Sequence, residues 1–420
     1  MGRVQKNLKI SPKLVQGEGA EAMDVFVARQ PIFRENKKLF AYELLFRTGM
    51  SNAFPGIDGG TATSSLLSSS FFTVGIERIS GGKLVFINFT EELLLRGTPT
   101  MFPQSQIVVE ILEDVQPTSE VIAACQALHR KGYTLALDDF VFRDNLQPLI
   151  EIAKIIKIDF RLTPLPEISV ILSQLKGDKC ELLAEKIESH EEFMEAKALG
   201  FRYFQGYFFA KPEILKNKDI SPSQLTIMQL ICEVNRAECE LKKLETLINQ
   251  DVSISFKLIN YLNSAYFARL QPISSIKQAI AYLGERGIRM FISLIAASRL
   301  VANKPDELLR ASAIRAKFLE QIAIEMDIDS GELFMLGLFS MLDAMLDNSM
   351  EYLVGQLPLT AQVRDALVKR SGILAPYLRL AETFEAGHWS ALDNQLAAMK
   401  ISSAKLQDFY LNAVKLADLF

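Results

Sequence analysis

At 420 residues the chain exceeds one ordinary hydrophobic core, and a prior of roughly 150 residues per domain predicts two or three domains, two if one is a barrel. With 49% hydrophobic and 23% charged residues it holds the material for packed cores and is excluded from the disordered class. A net charge of -4 without a Lys/Arg block excludes the electrostatic footprint of a protein that binds nucleic-acid polymers.

Residues 1–22 are polar, contain Gly17 and Gly19 and lack an apolar signal core. They read as a disordered extension, with Met23 available as a natural start. From there strand-like runs recur at 25–28, 39–45, 83–89, 106–112, 133–138, 155–160, 181–185 and 203–209. Helical spacers fit between most of them. The spacer 119–131 has Val121, Ile122, Cys125 and Leu128 at helical spacing, and 189–199 offers Ser189 as cap and Gly200 as terminator. Strands alternating with helices in this way predict an α/β fold, a TIM-like (β/α)8 barrel over 23–213 whose reactive groups gather at the C-terminal strand ends.

The polar residues obey that rule. Asn88 closes Leu84-Val85-Phe86-Ile87, Glu110 closes Ile107-Val108-Val109, Glu185 ends Leu182-Leu183-Ala184, and Gln205 stands beside Gly206 in the last strand. The run 133–140 is the most telling, because an apolar strand ends in two adjacent carboxylates, Asp138 and Asp139. Successive strand residues point to opposite faces, so the two stay close only if the strand is ending and both reach the same mouth. A divalent cation there would relieve their repulsion. The next strand, Ile155-Ile156-Lys157-Ile158-Asp159, sets a lysine and another carboxylate into an apolar run.

Composition shifts after Lys211-Pro212. Residues 214–222 form a polar linker ending in Ser221-Pro222, a helix start with proline at the first helical position. From 223 to 420 the pattern is all-α, with loops expected at 284–287 and 303–305. The apolar windows 290–302 and 333–346 are shorter than a membrane span or interrupted by charge and glycine, so no membrane segment is expected. Cys125, Cys180, Cys232 and Cys239 show no C-x-x-C pairing and read as reduced thiols of a cytoplasmic protein.

In this order the motifs resemble the EAL-domain family of cyclic di-GMP phosphodiesterases, followed by an HDOD domain. They are Gln30-Pro31-Ile32, Glu43-Leu44-Leu45-Phe46-Arg47, Asn88, Glu110 with Glu113, Asp138-Asp139-Phe140, Lys157-Ile158-Asp159, Glu185-Lys186-Ile187-Glu188 and Gln205-Gly206-Tyr207. The resemblance implies a two-metal site for Mg2+ or Mn2+. Glu43, Asn88, Glu110 and Asp138 would hold one ion, and Asp139 would share in the second. Lys157, Glu185 and Glu188 would serve catalysis, Lys157 by positioning water and Glu185 as ligand or base. Arg47, Gln30 and Gln205 would contact cyclic di-GMP, and Glu113 would support a loop. Hard oxygen ligands suit these cations, and a pair of metals suits phosphodiester hydrolysis to linear pGpG.

Two positions depart from the family pattern. Val141 stands where a glycine loop is usual, which removes the freedom of positive φ and sends the loop on another path. Lys186 stands where glycine follows the glutamate, and its cation either replaces a metal charge or blocks part of the pocket. These departures keep a second function open, a sensor that binds cyclic di-GMP without hydrolysing it, and a third, a scaffold.

The helical half resembles HDOD domains in 251–255, in Asn263-Ser264-Ala265 and in Gln278-Ala279-Ile280 with Leu283-Gly284. Such domains signal through protein contacts, which implies an unidentified protein partner and leaves a homodimer open. The chemistry of HD phosphohydrolases is excluded, because none of His129, His190 and His388 precedes an aspartate and Ser340-Met341 replaces the metal-binding pair. Asn263-Ser264 reads as a helix terminus satisfying its own backbone.

Overall fold

The computed structural model describes residues 27–46, 79–175, 179–211, 220–236, 244–245, 248, 257–259, 261–263, 273, 275–301 and 304–418. The extension 1–22, Arg47, the linker residues 214–219, Cys239, the segment 251–255 and Ser264-Ala265 lie outside the described residues.

Strands β1 (Val27–Arg34), β2 (Leu39–Phe46), β3 (Leu84–Phe89), β4 (Ile107–Ile111), β5 (Thr134–Leu137), β6 (Ile155–Asp159), β7 (Glu181–Glu185) and β8 (Tyr203–Gln205) close a barrel in sequence order. From β2 to β8 neighbouring strands are parallel, whereas β1 is antiparallel to both β2 and β8. This reversal was not legible, because β1 continues through Gln30-Pro31-Ile32, beyond the predicted end at residue 28. Pro31 is tolerated there. It pairs with Tyr42 on one side, and pairing with β8 begins only at Ile32, so the missing N–H removes no bond to β8. The last strand ends earlier than predicted. Gly206 turns the chain with φ 139, and residues Tyr207–Ala210 form a 3-10 turn whose Phe208 N–H donates to Ile187 O.

Inside the barrel Ile32, Ala41, Phe86, Val108, Ala136, Ile155, Leu183 and Tyr203 form an apolar plug. Residues of opposite parity, among them Val85, Ile87, Val109, Leu135 and Ile156, pack outward into a second layer with helices such as α1 (Ser119–Arg130), α2 (Leu165–Gln174) and α3 (His190–Ala198). Helix α3 starts as expected. Ser189 Oγ accepts from Glu192 N–H and the Glu192 carboxylate accepts from Ser189 N–H, while Gly200 follows at φ 94.

The second half is helical. Helix α4 (Pro222–Val234) begins with a capping box between Ser221 and Gln224. It is followed by α5 (Ile276–Ser298), α6 (Asp306–Glu325), α7 (Ser330–Phe339), α8 (Ala375–Glu385) and α9 (Ser403–Ala417), with α6 packed against α7 and α9. The loop expected at 284–287 is a kink inside α5 instead. Gly284 alone leaves helical geometry (φ 68, ψ 176), and Glu285 already begins the next helical stretch. Asn263 also does something other than finish its own helix. Its amide donates to Ile273 O at 2.9 Å and accepts from Ile273 N–H at 2.7 Å, clamping a residue ten positions away. No helix among the described residues is long and apolar enough to cross a membrane.

Candidate active site

Strand periodicity builds the site. Each residue of the apolar plug on a parallel strand is followed two positions later, on the same face and nearer the C-terminal mouth, by a polar one. Ala41 leads to Glu43, Phe86 to Asn88, Val108 to Glu110, Ala136 to Asp138, Ile155 to Lys157, Leu183 to Glu185 and Tyr203 to Gln205. On the reversed strand Gln30 precedes Ile32 by two. Register then sets neighbours side by side: Gln30 opposite Glu43, Asn88 opposite Glu110, and Asp159 opposite Glu185.

Lys157 is the centre of this layer. Its side chain is 1% exposed, and Nζ lies 2.5 Å from Glu110 Oε1, 2.7 Å from Asp138 Oδ1, 2.7 Å from Glu185 Oε1 and 3.4 Å from Glu43 Oε2. Burial would strip its proton, but Asp138, Glu110, Glu185 and Glu43 outweigh burial and hold its pKa well above the ordinary lysine value. Burial pushes Glu110 and Glu185 well above the usual carboxylate range, with Glu43 adding to the effect at Glu110 and Lys157 opposing it at both. One ammonium faces four carboxylates with only three protons to donate.

Asp138 and Asp139 meet at the mouth for a reason strand geometry alone does not supply. Asp139 takes a left-handed conformation (φ 37), which returns its side chain to the side of its neighbour. One ligand oxygen each from Asp138, Asp139 and Glu185 then lie within 4.8 Å of one another. Burial, and then Asp138, raise the pKa of Asp139. Val141 is 55% exposed, so the altered loop turns at Asp139 and leaves the valine outside.

The oxygens test whether a cation suits this mouth. Asn88 Nδ2 donates to Glu43 Oε1 at 3.1 Å, and Gln205 Nε2 donates to Glu43 Oε2 at 2.7 Å and to Gln30 Oε1 at 3.1 Å. With their amide nitrogens so committed, Asn88 Oδ1 and Gln205 Oε1 are buried without a donor among the described residues, as is Asp139 Oδ1, while Glu110 meets the Lys157 ammonium at Oε1. Buried acceptors cost free energy unless something positive meets them. A set of hard oxygens gathered at one mouth fits a divalent cation of the Mg2+, Mn2+ or Ca2+ type.

The structure thus gathers Glu43, Asn88, Glu110, Asp138, Asp139, Lys157, Glu185 and Gln205, with Gln30 at the rim. It does not bring in Glu188, which is exposed and pairs with Arg161 at 3.6 Å and Lys211 at 3.4 Å. Glu113 is exposed in the turn after β4 and makes no hydrogen bond or ion pair among the described residues. The pairing of Lys186 with Asp159 was not foreseen from sequence, although both residues stood out there. Lys186, at φ 55 where glycine would sit without strain, pairs closely with the buried Asp159 and lies 3.9 Å from Asp139. Asp159 Oδ1 meanwhile accepts from the N–H groups of Arg161 and Leu162. The signal for Asp159 was its parity, two residues beyond Lys157.

In the helical half Ser340 accepts from Arg315 Nη1 at 2.9 Å, and the buried Arg315 is forked onto Glu385 at 3.1 and 2.5 Å. A guanidinium therefore packs against Ser340, one of the two residues that stand where the metal-binding pair would be expected.

The chain matches the EAL domain over residues 78–212 and the HDOD domain over residues 221–350. It is 39% identical to cyclic di-GMP phosphodiesterase CdgJ of Vibrio cholerae, across 91% of this chain and 90% of that one. It is 37% identical to the protein YuxH of Bacillus subtilis, across 89% of this chain and 94% of that one. Among solved structures it resembles the Bacillus subtilis YkuI protein with an EAL domain, in complex with cyclic di-GMP and calcium, at 21% identity and a TM-score of 0.36, covering 62% of this chain and 73% of that one.

Proposed function

The chain belongs to the family of cyclic di-GMP phosphodiesterases that join an EAL domain to an HDOD domain, and on that premise we propose that its barrel hydrolyses cyclic di-GMP to linear pGpG. The observation that carries this reading is the polar layer two residues above the barrel plug, with acceptor oxygens that find no donor among the described residues.

Two divalent ions, Mg2+ or Mn2+, complete the reading. Glu43, Asn88, Glu110 and Asp138 would hold one, and Asp138, Asp139 and Glu185 the other. Bound there, the cations would lower the pKa of water and stabilise the departing oxygen. The protein's own groups do the rest. Lys157, kept protonated by its carboxylate neighbours, orients the attacking water, and Glu185 accepts the proton that this water gives up. Water adds across one P–O3′ bond, leaving a 5′-phosphate on one guanosine and a free 3′-hydroxyl on the other. Gln205, bonded also to Gln30, holds Glu43, and both glutamines border the ligand, with Arg47 as a phosphate contact. Glu188 stands outside the mouth, paired with Arg161 and Lys211, and Glu113 is left without a bond to its loop among the described residues.

The division into an extension 1–22, a barrel domain 23–213, a linker 214–222 and a helical domain 223–420 belongs to the same proposal. So do a regulatory role for the HDOD domain through a protein partner, a homodimer, and a cytoplasmic setting. Cys125 and Cys232, buried as thiols, are consistent with a reducing compartment.

A sensor that binds without hydrolysis has one observation in its favour, the cation of Lys186 beside Asp159 and Asp139. Incubation with Mn2+ and cyclic di-GMP separates the two readings. Linear product from the wild type and none from Glu43→Ala supports the enzyme, whereas tight binding without product supports the sensor.

A further inference from the structure

The β1–β2 ribbon that carries Gln30 and Glu43 is gripped on both faces by the helical domain. On the face away from the mouth, Tyr42 is fully buried and its hydroxyl donates to Glu307 Oε2 at 2.8 Å, on α6. Arg310 Nη1 donates to the same hydroxyl at 3.3 Å and lies 3.0 Å from Asp418 Oδ1. Arg29 stacks 4.3 Å over the Tyr42 ring, donates to Ile79 O, and has its other terminal nitrogen 3.6 Å from Asp418 Oδ1.

On the opposite face Ala28 and Leu45 belong to the hydrophobic core of the helical domain. Gly387 packs so closely that an added Cβ would sit 2.7 Å from Leu45 Cδ1. At the end of α8, Ala386 O accepts from Gln30 Nε2 at 3.5 Å, and Gln30 Oε1 accepts from Gln205, which also donates to Glu43. At the start of β1, Gln407 of α9 accepts from Val27 N–H at 2.9 Å and donates to Val27 O at 3.4 Å.

These contacts end on one ligand. Tyr42 and Glu43 are consecutive, so what fixes the first on the outer face fixes the direction of the second on the inner one. A barrel strand is normally backed by apolar helices; here the backing is a buried ionic and hydrogen-bonded cluster drawn from residues 307, 310 and 418. Such clusters tolerate few alternative arrangements, because each broken partner leaves a buried polar group unpaired. A cavity of about 60 Å³ remains between the halves, lined by Gln30, Tyr207, Glu307, Met341, Glu385 and Tyr410, so the contact is incompletely filled beside Gln30, which reaches the mouth.

Resting on the phosphodiesterase reading, we infer that the helical domain is a working part of the metal site: Tyr42 and Glu307 are positioning residues that hold Glu43 toward the mouth, and the domain contact sets the affinity of the barrel for its divalent cation. A signal that shifts α6 or the end of α8 would act on hydrolysis through Glu43, without touching substrate.

The test uses the full chain. Wild type, Tyr42→Phe, Glu307→Met and the double variant are titrated with Mn2+ by calorimetry and assayed with cyclic di-GMP at saturating Mn2+. Each single variant is expected to weaken Mn2+ binding about tenfold, the scale set by groups that orient metal ligands, and to lower kcat with KM within about twofold. The double variant should be no weaker than the poorer single one, since both remove the same hydrogen bond. Lys405→Ala, which breaks only the exposed pair with Glu325, should behave as wild type. If either buried variant fails to fold, Gln407→Ala decides, with an expected loss of about threefold in Mn2+ affinity for two lost strand-anchoring bonds. Variants that melt earlier yet bind Mn2+ and turn over as wild type does would overturn the inference and leave the cluster a structural support. A wild type that binds Mn2+ but makes no linear product would overturn the phosphodiesterase reading, while the Mn2+ comparison still decides the positioning role. Absence of Mn2+ binding by the wild type would overturn both.

Discussion

Lys157→Met keeps the side-chain stem and removes the ammonium that lies among Glu43, Glu110, Asp138 and Glu185. At 2.7 Å and an effective dielectric of about 20, each close contact is worth roughly 6 kcal/mol of gross attraction, against several kcal/mol to desolvate each ion. Breaking a buried pair from one side costs about 3–5 kcal/mol in net terms. Proton uptake by the abandoned carboxylates limits the loss, because Glu110 and Glu185 already have raised pKa values. We therefore expect about 3 kcal/mol, which for a domain of barrel size lowers the melting temperature by about 6–12 °C.

The assay is a thermal melt in EDTA and again in Mn2+. The variant mouth holds the same oxygens without a competing cation, so Mn2+ should raise its melting temperature by more than it raises that of the wild type. Turnover should not return, because the water-orienting group is gone; kcat is expected to fall by about 10²–10⁴. A variant that melts within about 2 °C of wild type in EDTA would refute the charge-balancing role, since 3 kcal/mol cannot vanish into so small a shift. A kcat within about twofold of wild type at saturating Mn2+ would refute the catalytic one.

Gly206→Ala should be severely destabilising, by about 3 kcal/mol or more, since φ 139 disfavours any side chain and an added Cβ would collide with the backbone of Ile187; soluble yield and melting temperature check this. Lys186→Gly should relieve about 1 kcal/mol of left-handed strain and release Asp139 and Asp159, so the Mn2+ concentration for half-maximal turnover should fall several-fold; an unchanged or higher requirement would count against competition between this lysine and a second cation. Burial pushes the thiols of Cys125 and Cys232 up to about 12. Thiolate is the reactive form, so their alkylation in the native protein should be slow near pH 7.5 and rise about tenfold per pH unit toward that value, with labelling at pH 7.5 becoming rapid only on unfolding.

The same period-2 alternation made half of this site legible and hid the other half. Apolar strands closed by a polar residue marked Asn88, Glu110, Glu185 and Gln205, and a lysine set into one such run marked Lys157, because strands so apolar need no charge for solubility. What stands behind the β1–β2 ribbon was not legible, since the partners of Tyr42 and Arg29, namely Glu307, Arg310 and Asp418, lie more than 260 residues along the chain from Tyr42, in a helical pattern that reads as ordinary surface charge. The reversed β1 escaped for a local reason, a proline inside a strand whose second pairing starts one residue later. The approach of Asp138 to Asp139 required a left-handed aspartate that strand periodicity does not anticipate. What sequence pattern resolves, then, is which side of the sheet a group occupies. Whether a carboxylate on that side is held firmly enough to bind a cation depends on the other side, and in this chain that other side belongs to a different domain.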